Sequence, residues 1–219
     1  MKKTPITTVD RISTIALRLL ESGGPEAVTM RAVAKLARIT PMAIYHHFPN
    51  REALLEAITN GEFDRVLEYV DARRTQLPKS AGPTAHLLTL MHGQIDYAVQ
   101  RPQLFDYVFS RNRSDARRFP EDFHARRSPT MNPVADGLRS AMTAGWLKHD
   151  DPWEIAMQLT ALIHGYLVFY RGGRFSLSEK EFRALCERAM SRMFLGLNSP
   201  SSKSPAISAS AHPSKRTVV

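Results

Sequence analysis

The chain has 219 residues, of which 43% are hydrophobic and 23% charged, so it is long enough to bury a sizeable hydrophobic core. Its formal net charge of +9 and pI of about 10.0 favour a polyanionic partner such as nucleic acid or an anionic membrane. The single cysteine, Cys186, excludes an intrachain disulfide framework and is typical of a reducing compartment. Because neither a secretory signal core nor a membrane span of roughly 20 apolar residues is present, we expect a cytoplasmic protein.

Apolar residues recur at helical spacing along nearly the whole chain, and no segment shows the alternation of a strand. We therefore predict an all-α protein. The first helix is predicted to stop at the glycines 23 and 24, and its apolar face consists of Ile12, Ala16, Leu19 and Leu20.

Two short helices joined by a tight turn follow. Thr29 is suited to capping the second helix, and Thr40 to capping the third, in which Pro41 takes the first position because its missing N–H costs nothing there. Phe48 is expected to end the third helix, and Asn50 to cap a longer fourth. The inward residues of the second helix are predicted to be Val33, Leu36 and Ala37. This order is typical of a helix-turn-helix, which lays its second short helix across the major groove of DNA.

The stretch MRAVAKLARITPMAIYHHFPNREALLEAI resembles the N-terminal domain of the TetR/AcrR family of bacterial repressors. That family's hallmark is a helix-turn-helix followed by Tyr-x-His-Phe, a turn, a basic residue and a Leu-Leu pair. In this chain, the matching residues are Tyr45, His47, Phe48, Arg51, Leu54 and Leu55. The match covers roughly the first 60 residues.

The resemblance implies two groups of DNA-binding residues in addition to Met30, which opens the second helix. Contacts to phosphates, or positioning of the module, are expected of Thr29, Arg31, Thr40, Tyr45, His47 and Arg51. The residues expected nearest the bases are Pro41, Met42, Ala43 and His46.

The chain departs from the family pattern at two positions. Arg38 stands in the turn where the family usually has Gly. It either tolerates a positive φ, which costs on the order of 1 kcal/mol in a residue with a Cβ, or gains a phosphate contact. Arg51 replaces the usual Lys and is expected to keep an anion contact.

The second half of the chain is predicted to be a larger helical domain. We place the DNA-binding domain at residues 1–66, with the helix-turn-helix at about 29–48, and the second domain at 67–197. Pro78, Gly82 and Pro83 mark the break between the helices of the two halves. Residues 198–219 are rich in Ser, Pro, Lys and Arg and contain no acid, so we predict a disordered tail.

By resemblance, this second domain binds a small molecule and forms a homodimer. The stretch ALIHGYLVFYRGGRFSLSEKEFRAL is similar to the helix-loop-helix near the end of many family members. Candidate dimer contacts are Leu159, Leu162, Ile163, Tyr166, Leu167, Phe182, Leu185 and Met193. Candidate pocket residues, each also compatible with ordinary packing, are His92, Tyr97, Phe105, Phe109, Trp146, Gln158, His164 and Tyr170.

These features predict a homodimeric repressor that a small molecule, with some preference for an apolar or aromatic one, releases from a palindromic double-stranded operator. We expect no enzymatic activity, since the chain has no Gly-rich phosphate loop and no nucleophile elbow. No metal site or cofactor is expected, because the adjacent His46 and His47 diverge by about 100° on a helix. A nonspecific DNA binder and an activator remain alternatives.

Overall fold

The computed structural model describes residues 7–78, 81–110 and 116–198, apart from the side chains of residues 69 and 110. Helices dominate this part of the chain, and it contains no strand; Leu147 and Asn198 form an isolated bridge. The all-α prediction is confirmed. The predicted disordered tail, from residue 199 onward, lies outside the described residues.

The N-terminal domain consists of four helices, and a short 3-10 turn, Pro25–Ala27, follows the first. Side-chain caps define where each helix begins, because an oxygen at the cap accepts from an otherwise unpaired N–H of the first turn. Asn50 Oδ1, for example, accepts from the N–H of Ala53 at 2.7 Å. The helices are α1 (Thr8–Gly23), α2 (Met30–Ala37), α3 (Pro41–Tyr45) and α4 (Arg51–Arg74).

From Pro83 onward, the described part of the chain contains four helices of 12 to 20 residues and two of four residues. Ser178 and Glu181 form a capping box at the start of the last helix. A π-helical turn, Asp106–Ser110, continues α6. The helices are α5 (Pro83–Gln100), α6 (Pro102–Phe105), α7 (Glu121–His124), α8 (Asn132–Thr143), α9 (Pro152–Arg171) and α10 (Glu179–Leu197).

Two hydrophobic cores hold the molecule together, and α6 contributes to both. The N-terminal core centres on Ile12, Val33 and Ile44, and it also contains Leu104 and Tyr107 from the α6 segment. The C-terminal core contains Phe105 from the same segment, packed with residues of α5, α8, α9 and α10. Side chains that are neighbours in residues 104–107 therefore pack in different cores.

The structure corrects one inward prediction in α2. Leu36 is 57% exposed, whereas Val33 and Ala37 are buried as expected. The helix is only eight residues long, and its buried face passes through Met30, Val33, Ala34 and Ala37 instead. Within the described residues, no helix is both long and apolar enough to cross a membrane.

Candidate functional site

The turn between α2 and α3 has the geometry that the sequence predicts. Thr29 Oγ1 accepts from the N–H of Ala32 at 3.1 Å, and Thr40 Oγ1 accepts from the N–H of Ala43 at 3.3 Å. Arg38 lies between the helices in the left-handed region, with φ 54° and ψ 43°. Its backbone N–H still donates to Lys35, so the turn closes α2 without a glycine.

Helix α3 is anchored by one face and exposed on the other. Ile44 and Phe48 are buried in the N-terminal core. Met42, by contrast, is 66% exposed, and Tyr45 is exposed as well. Burial of such large apolar side chains against a partner is favourable. The exposed surface of this segment is formed by Thr40, Pro41, Met42, Tyr45, His46 and His47, with Ala43 half-buried.

The charge around this surface is positive. The sequence from Ala27 to Pro49 contains no acidic residue, and its three basic side chains, Arg31, Lys35 and Arg38, are all exposed. Exposed cations beside a protruding helix are suited to the phosphates on either side of a DNA groove. The arrangement therefore presents a contact surface for bases flanked by cations for the backbone.

A cavity of about 240 Å³ lies inside the C-terminal domain. Its walls come from α4, α5, α7, α9, the π-helical turn after α6 and the segments on either side of α7. Most of them are apolar, and the described lining includes no carboxylate. Its lining residues are Phe63, Gln94, Val108, Phe109, Ala116, Arg117, Phe123, Ser128, Thr130, Met131, Met157, Thr160 and His164.

His164 is the buried titratable group of this cavity. The rings of Phe105 and Phe109 approach its imidazole edge-on, with centroid separations of 5.1 and 5.2 Å. Burial lowers the pKa of His164 to about 4, so its imidazole is neutral at physiological pH. Among the described residues, its buried Nε2 has no hydrogen-bond partner.

Comparison with known proteins assigns both halves of the chain. Residues 12–58 match the family model "Bacterial regulatory proteins, tetR family", and residues 87–193 match the model "Tetracyclin repressor-like, C-terminal domain". The chain belongs to the tetR family. Its helix-turn-helix is the DNA-binding domain of that family.

The tetR-family repressor KstR is similar in sequence over part of the chain. Identity is 31% with KstR of Mycobacterium tuberculosis, over 67% of this chain and 63% of that protein. It is 33% with KstR of Mycolicibacterium smegmatis, over 46% of this chain and 48% of that protein. The chain thus spans between about half and two thirds of the length of these relatives.

Solved structures share the fold over almost the full length. A protein of unknown function from Rhodococcus sp. RHA1 has a TM-score of 0.72 at 19% identity, covering 88% of this chain and 95% of that chain. AibR, solved in complex with isovaleryl coenzyme A and operator DNA, has a TM-score of 0.58 at 21% identity, covering 86% and 98%. At these identities, the likeness shows the tetR-family fold alone.

Two of the predicted DNA-binding residues make contacts within their own chain. Met30 is only 8% exposed and packs in the N-terminal core. Arg51 donates from Nε to the carbonyl of Val28 at 2.7 Å and from Nη2 to the carbonyl of Pro25. Its guanidinium thus ties α4 to the segment before α2, and this geometry does not support the expected phosphate contact.

The cavity includes only part of the predicted pocket. Phe109 and His164 line it, Phe105 packs against His164, and Tyr97 packs against Phe109 with ring centroids 6.3 Å apart. The Tyr97 hydroxyl donates to Glu62 at 3.4 Å. Burial is the main reason that the pKa of Tyr97 is raised, so this tyrosine stays protonated.

The other four predicted pocket residues lie elsewhere. His92 Nε2 is 2.9 Å from a Glu187 carboxylate oxygen, and Trp146 packs over Gly82. Gln158 is exposed on α9, and Tyr170 stacks on Phe182 with ring centroids 4.1 Å apart. Sequence reasoning missed Phe63, Met131 and Thr160, of which only Thr160 had a signal, one turn before His164 on the same helix.

The predicted dimer residues include four that the structure places in the core of their own chain. Leu159, Ile163, Leu167 and Phe182 are buried, so they are unavailable to a partner. Leu162, Tyr166 and Met193 are half-buried against the same core, and Leu185 is half-buried as well. The large apolar side chains that α9 and α10 expose are Val168, Phe169 and Leu195.

Proposed function

We propose that the protein is a homodimeric transcriptional repressor that binds a palindromic DNA operator through α3 and releases it when a small molecule occupies the C-terminal domain. The observation that carries the proposal is the exposed face of α3, where Met42 and Tyr45 lie in solvent and the preceding helix and turn carry exposed cations. This face has the size and chemistry for a major groove, in which apolar side chains contact thymine methyl groups and donors contact base edges.

Dimerisation is supported by the outer faces of α9 and α10. Val168 and Phe169 on α9 and Leu195 on α10 leave large apolar side chains in water, which is unfavourable for a monomer. Among the described residues, no atom beyond the helix itself lies within 4 Å of the Cβ position of Gly165, one turn away on α9. A partner helix can therefore approach closely there. Two copies would read both halves of an inverted repeat.

Communication between cavity and DNA-binding domain is supported by α6 and its π-helical turn. Phe109 lines the cavity, whereas Leu104 and Tyr107 pack in the N-terminal core. Arg171 of α9 also binds Asp106 through two hydrogen bonds, one of 2.7 Å from Nη2 to Oδ2. A ligand that displaces Phe109 would thus move residues that contact the DNA-binding domain. Coupling of this kind is typically about 1–3 kcal/mol, which is a 5- to 150-fold change in affinity.

The test is selection of bound duplexes from a random pool by the full-length protein. We expect an inverted repeat that is bound roughly 10³-fold or more tightly than random duplex. Met42→Ala and His46→Ala should change the selected bases. Arg31→Ala should weaken all sequences alike and reduce the salt slope by about one. Thr143→Ala, an exposed change on α8, is the control. Absence of any enriched sequence would contradict the proposal and favour a nonspecific binder.

A further inference from the structure

The cavity around His164 belongs to a series of three spaces, in which each space shares lining residues with the next. A groove of about 890 Å³ lies between α4, α5 and α8. A small void of about 20 Å³ lies deeper, and Leu87 and Leu90 line both the groove and the void. Gln94 and Thr160 line both the void and the His164 cavity. The void is therefore a neighbour of both the groove and the cavity, and the three spaces form a series.

The two ends of this series each hold an unsatisfied polar atom. Among the described residues, the buried side-chain nitrogen and oxygen atoms without a hydrogen-bond partner are Asn132 Oδ1 and His164 Nε2. Asn132 lines the groove, and His164 lines the cavity. Native proteins leave very few such atoms unpaired, because each costs about 1–3 kcal/mol. A ligand that reaches both ends would satisfy both.

The polar chemistry at each end specifies the group that it accepts. Asn132 Nδ2 donates to the carbonyl of Arg126 at 3.0 Å, which assigns Oδ1 as the free acceptor, so a ligand must offer a donor there. The neutral imidazole of His164 either donates or accepts at Nε2. A hydroxyl group satisfies both positions.

The charged side chains along the series already have partners. In the groove, Arg74 lies 3.1 Å from Asp71, and Asp136 binds both Arg126 and Arg139 at 2.8 Å. The described lining of the inner cavity contains no carboxylate, and its cation, Arg117, donates from Nε to the carbonyl of Arg127 at 3.2 Å and lies over the ring of Phe63. A ligand with a net charge would gain no unpaired counter-ion at these positions, so an uncharged molecule fits best.

We propose that the groove, the void and the cavity form one channel for an elongated, uncharged, mainly apolar effector with a hydrogen-bonding group at each end. The proposal rests on the small-molecule regulation proposed above and names the class of its ligand. Leu90 and Gln94 separate the spaces, and both are half-buried, so rotation of their side chains opens the path. At the inner end, Thr160 Oγ1 donates only to the weak acceptor Met131 Sδ at 3.1 Å, and a ligand oxygen can replace that contact.

The test uses 1-alkanols and α,ω-alkanediols of six to twelve carbons, titrated calorimetrically into the full-length protein. Affinity should rise about fourfold per added methylene, which corresponds to about 0.8 kcal/mol of apolar burial. Leu90→Trp should end this rise at a short chain length. Leu88→Trp lies two residues away on α5, outside the lining of all three spaces, and should leave the rise unchanged.

The two ends are tested separately. Asn132→Leu should weaken 1,12-dodecanediol about fivefold and leave 1-dodecanol within about twofold, since it removes one hydrogen bond of about 1 kcal/mol. His164→Phe should weaken both. Thermal unfolding and operator binding of each variant without ligand report that the fold is intact.

Two results would overturn the channel. One is a chain-length dependence in Leu90→Trp equal to that of the unmodified protein. The other is failure of every alcohol to bind while the selected operator is still bound tightly. Failure to bind any preferred DNA would instead overturn the proposed function, so the two outcomes are distinguishable.

Discussion

Arg101 Nη1 lies 2.9 Å from Oε2 of Glu62, in the junction where the DNA-binding domain meets the rest of the molecule. The same guanidinium is 3.5 Å from Glu21 on α1, and Arg65 binds the other oxygen of Glu62 at 2.8 Å. Glu62 is almost completely buried, and these arginines supply its cationic partners. The group joins α1, α4 and the end of α5 beside the cavity.

Arg101→Met is expected to destabilise the protein by about 2–3 kcal/mol, because a buried carboxylate loses one of its two cations. The double variant Glu62→Leu/Arg101→Met should recover most of that loss, since neither charge remains. Urea unfolding measures both free energies. Glu21→Gln removes a half-exposed partner and should cost less than about 1 kcal/mol. Equal losses in the single and double variants would contradict this account.

Arg51→Ala is expected to reduce stability by about 2 kcal/mol, because the carbonyls of Pro25 and Val28 lose a charged donor. This variant should bind the operator less well only to the extent that it is unfolded. The salt dependence of operator binding should therefore stay unchanged, whereas Arg31→Ala lowers its slope. A slope that falls equally in both variants would restore the phosphate contact for Arg51.

Arg38→Gly is expected to stabilise the fold by about 0.5–1 kcal/mol, because φ of 54° is strained for a residue with a Cβ. Lys35→Gly, three residues earlier within α2, should have the opposite effect, at a cost of about 1 kcal/mol. Thermal unfolding distinguishes the two. If Arg38→Gly also destabilises, the side chain of Arg38 makes a contact that outweighs its backbone strain.

The stability of the protein is expected to fall in acid because of His164. In the unfolded chain the imidazole has its ordinary pKa of 6.5, whereas burial lowers the pKa of His164 to about 4 in the fold. Between these values the unfolded state binds the extra proton, so stability decreases as pH falls from about 6.5 towards 4. At pH 5 the loss attributable to His164 is about 2 kcal/mol relative to pH 7.5.

The check on that value is the difference between the unmodified protein and His164→Phe, measured by urea unfolding at several pH values. The other histidines are present in both proteins, so their contributions cancel in the difference. The difference in free energy of unfolding between the two proteins should change by about 2 kcal/mol between pH 7.5 and pH 5. A constant difference would show that His164 is protonated as easily in the fold as in the unfolded chain.

Val168→Glu is expected to convert the proposed dimer to a monomer, because it places a charge in the centre of the exposed apolar face of α9. Sedimentation velocity at micromolar concentration gives the oligomeric state, and operator affinity should fall with it. Thr143→Glu, exposed on α8, should remain dimeric. Dimers of unchanged stability in Val168→Glu would exclude this face as the interface.

Local chemistry in the sequence determined the helices and the DNA-binding motif. Thr29, Thr40 and Asn50 cap the helices that the pattern predicts, because a cap depends only on a side chain and the N–H groups two or three residues later. The left-handed turn at Arg38 follows from the same short-range geometry. The exposed residues of α3 were predictable because Ile44 and Phe48, four positions apart, define its inner face.

Tertiary structure alone decided which side chains meet. Arg51 was expected to bind phosphate, but its guanidinium satisfies carbonyls more than twenty residues earlier in the chain. Helix α9 is apolar on nearly all sides, so the spacing of its apolar residues could not distinguish core residues such as Ile163 from exposed ones such as Val168. The cavity is lined by several separate segments. Its composition depends on how the helices pack, which long-range burial determines and short-range spacing does not.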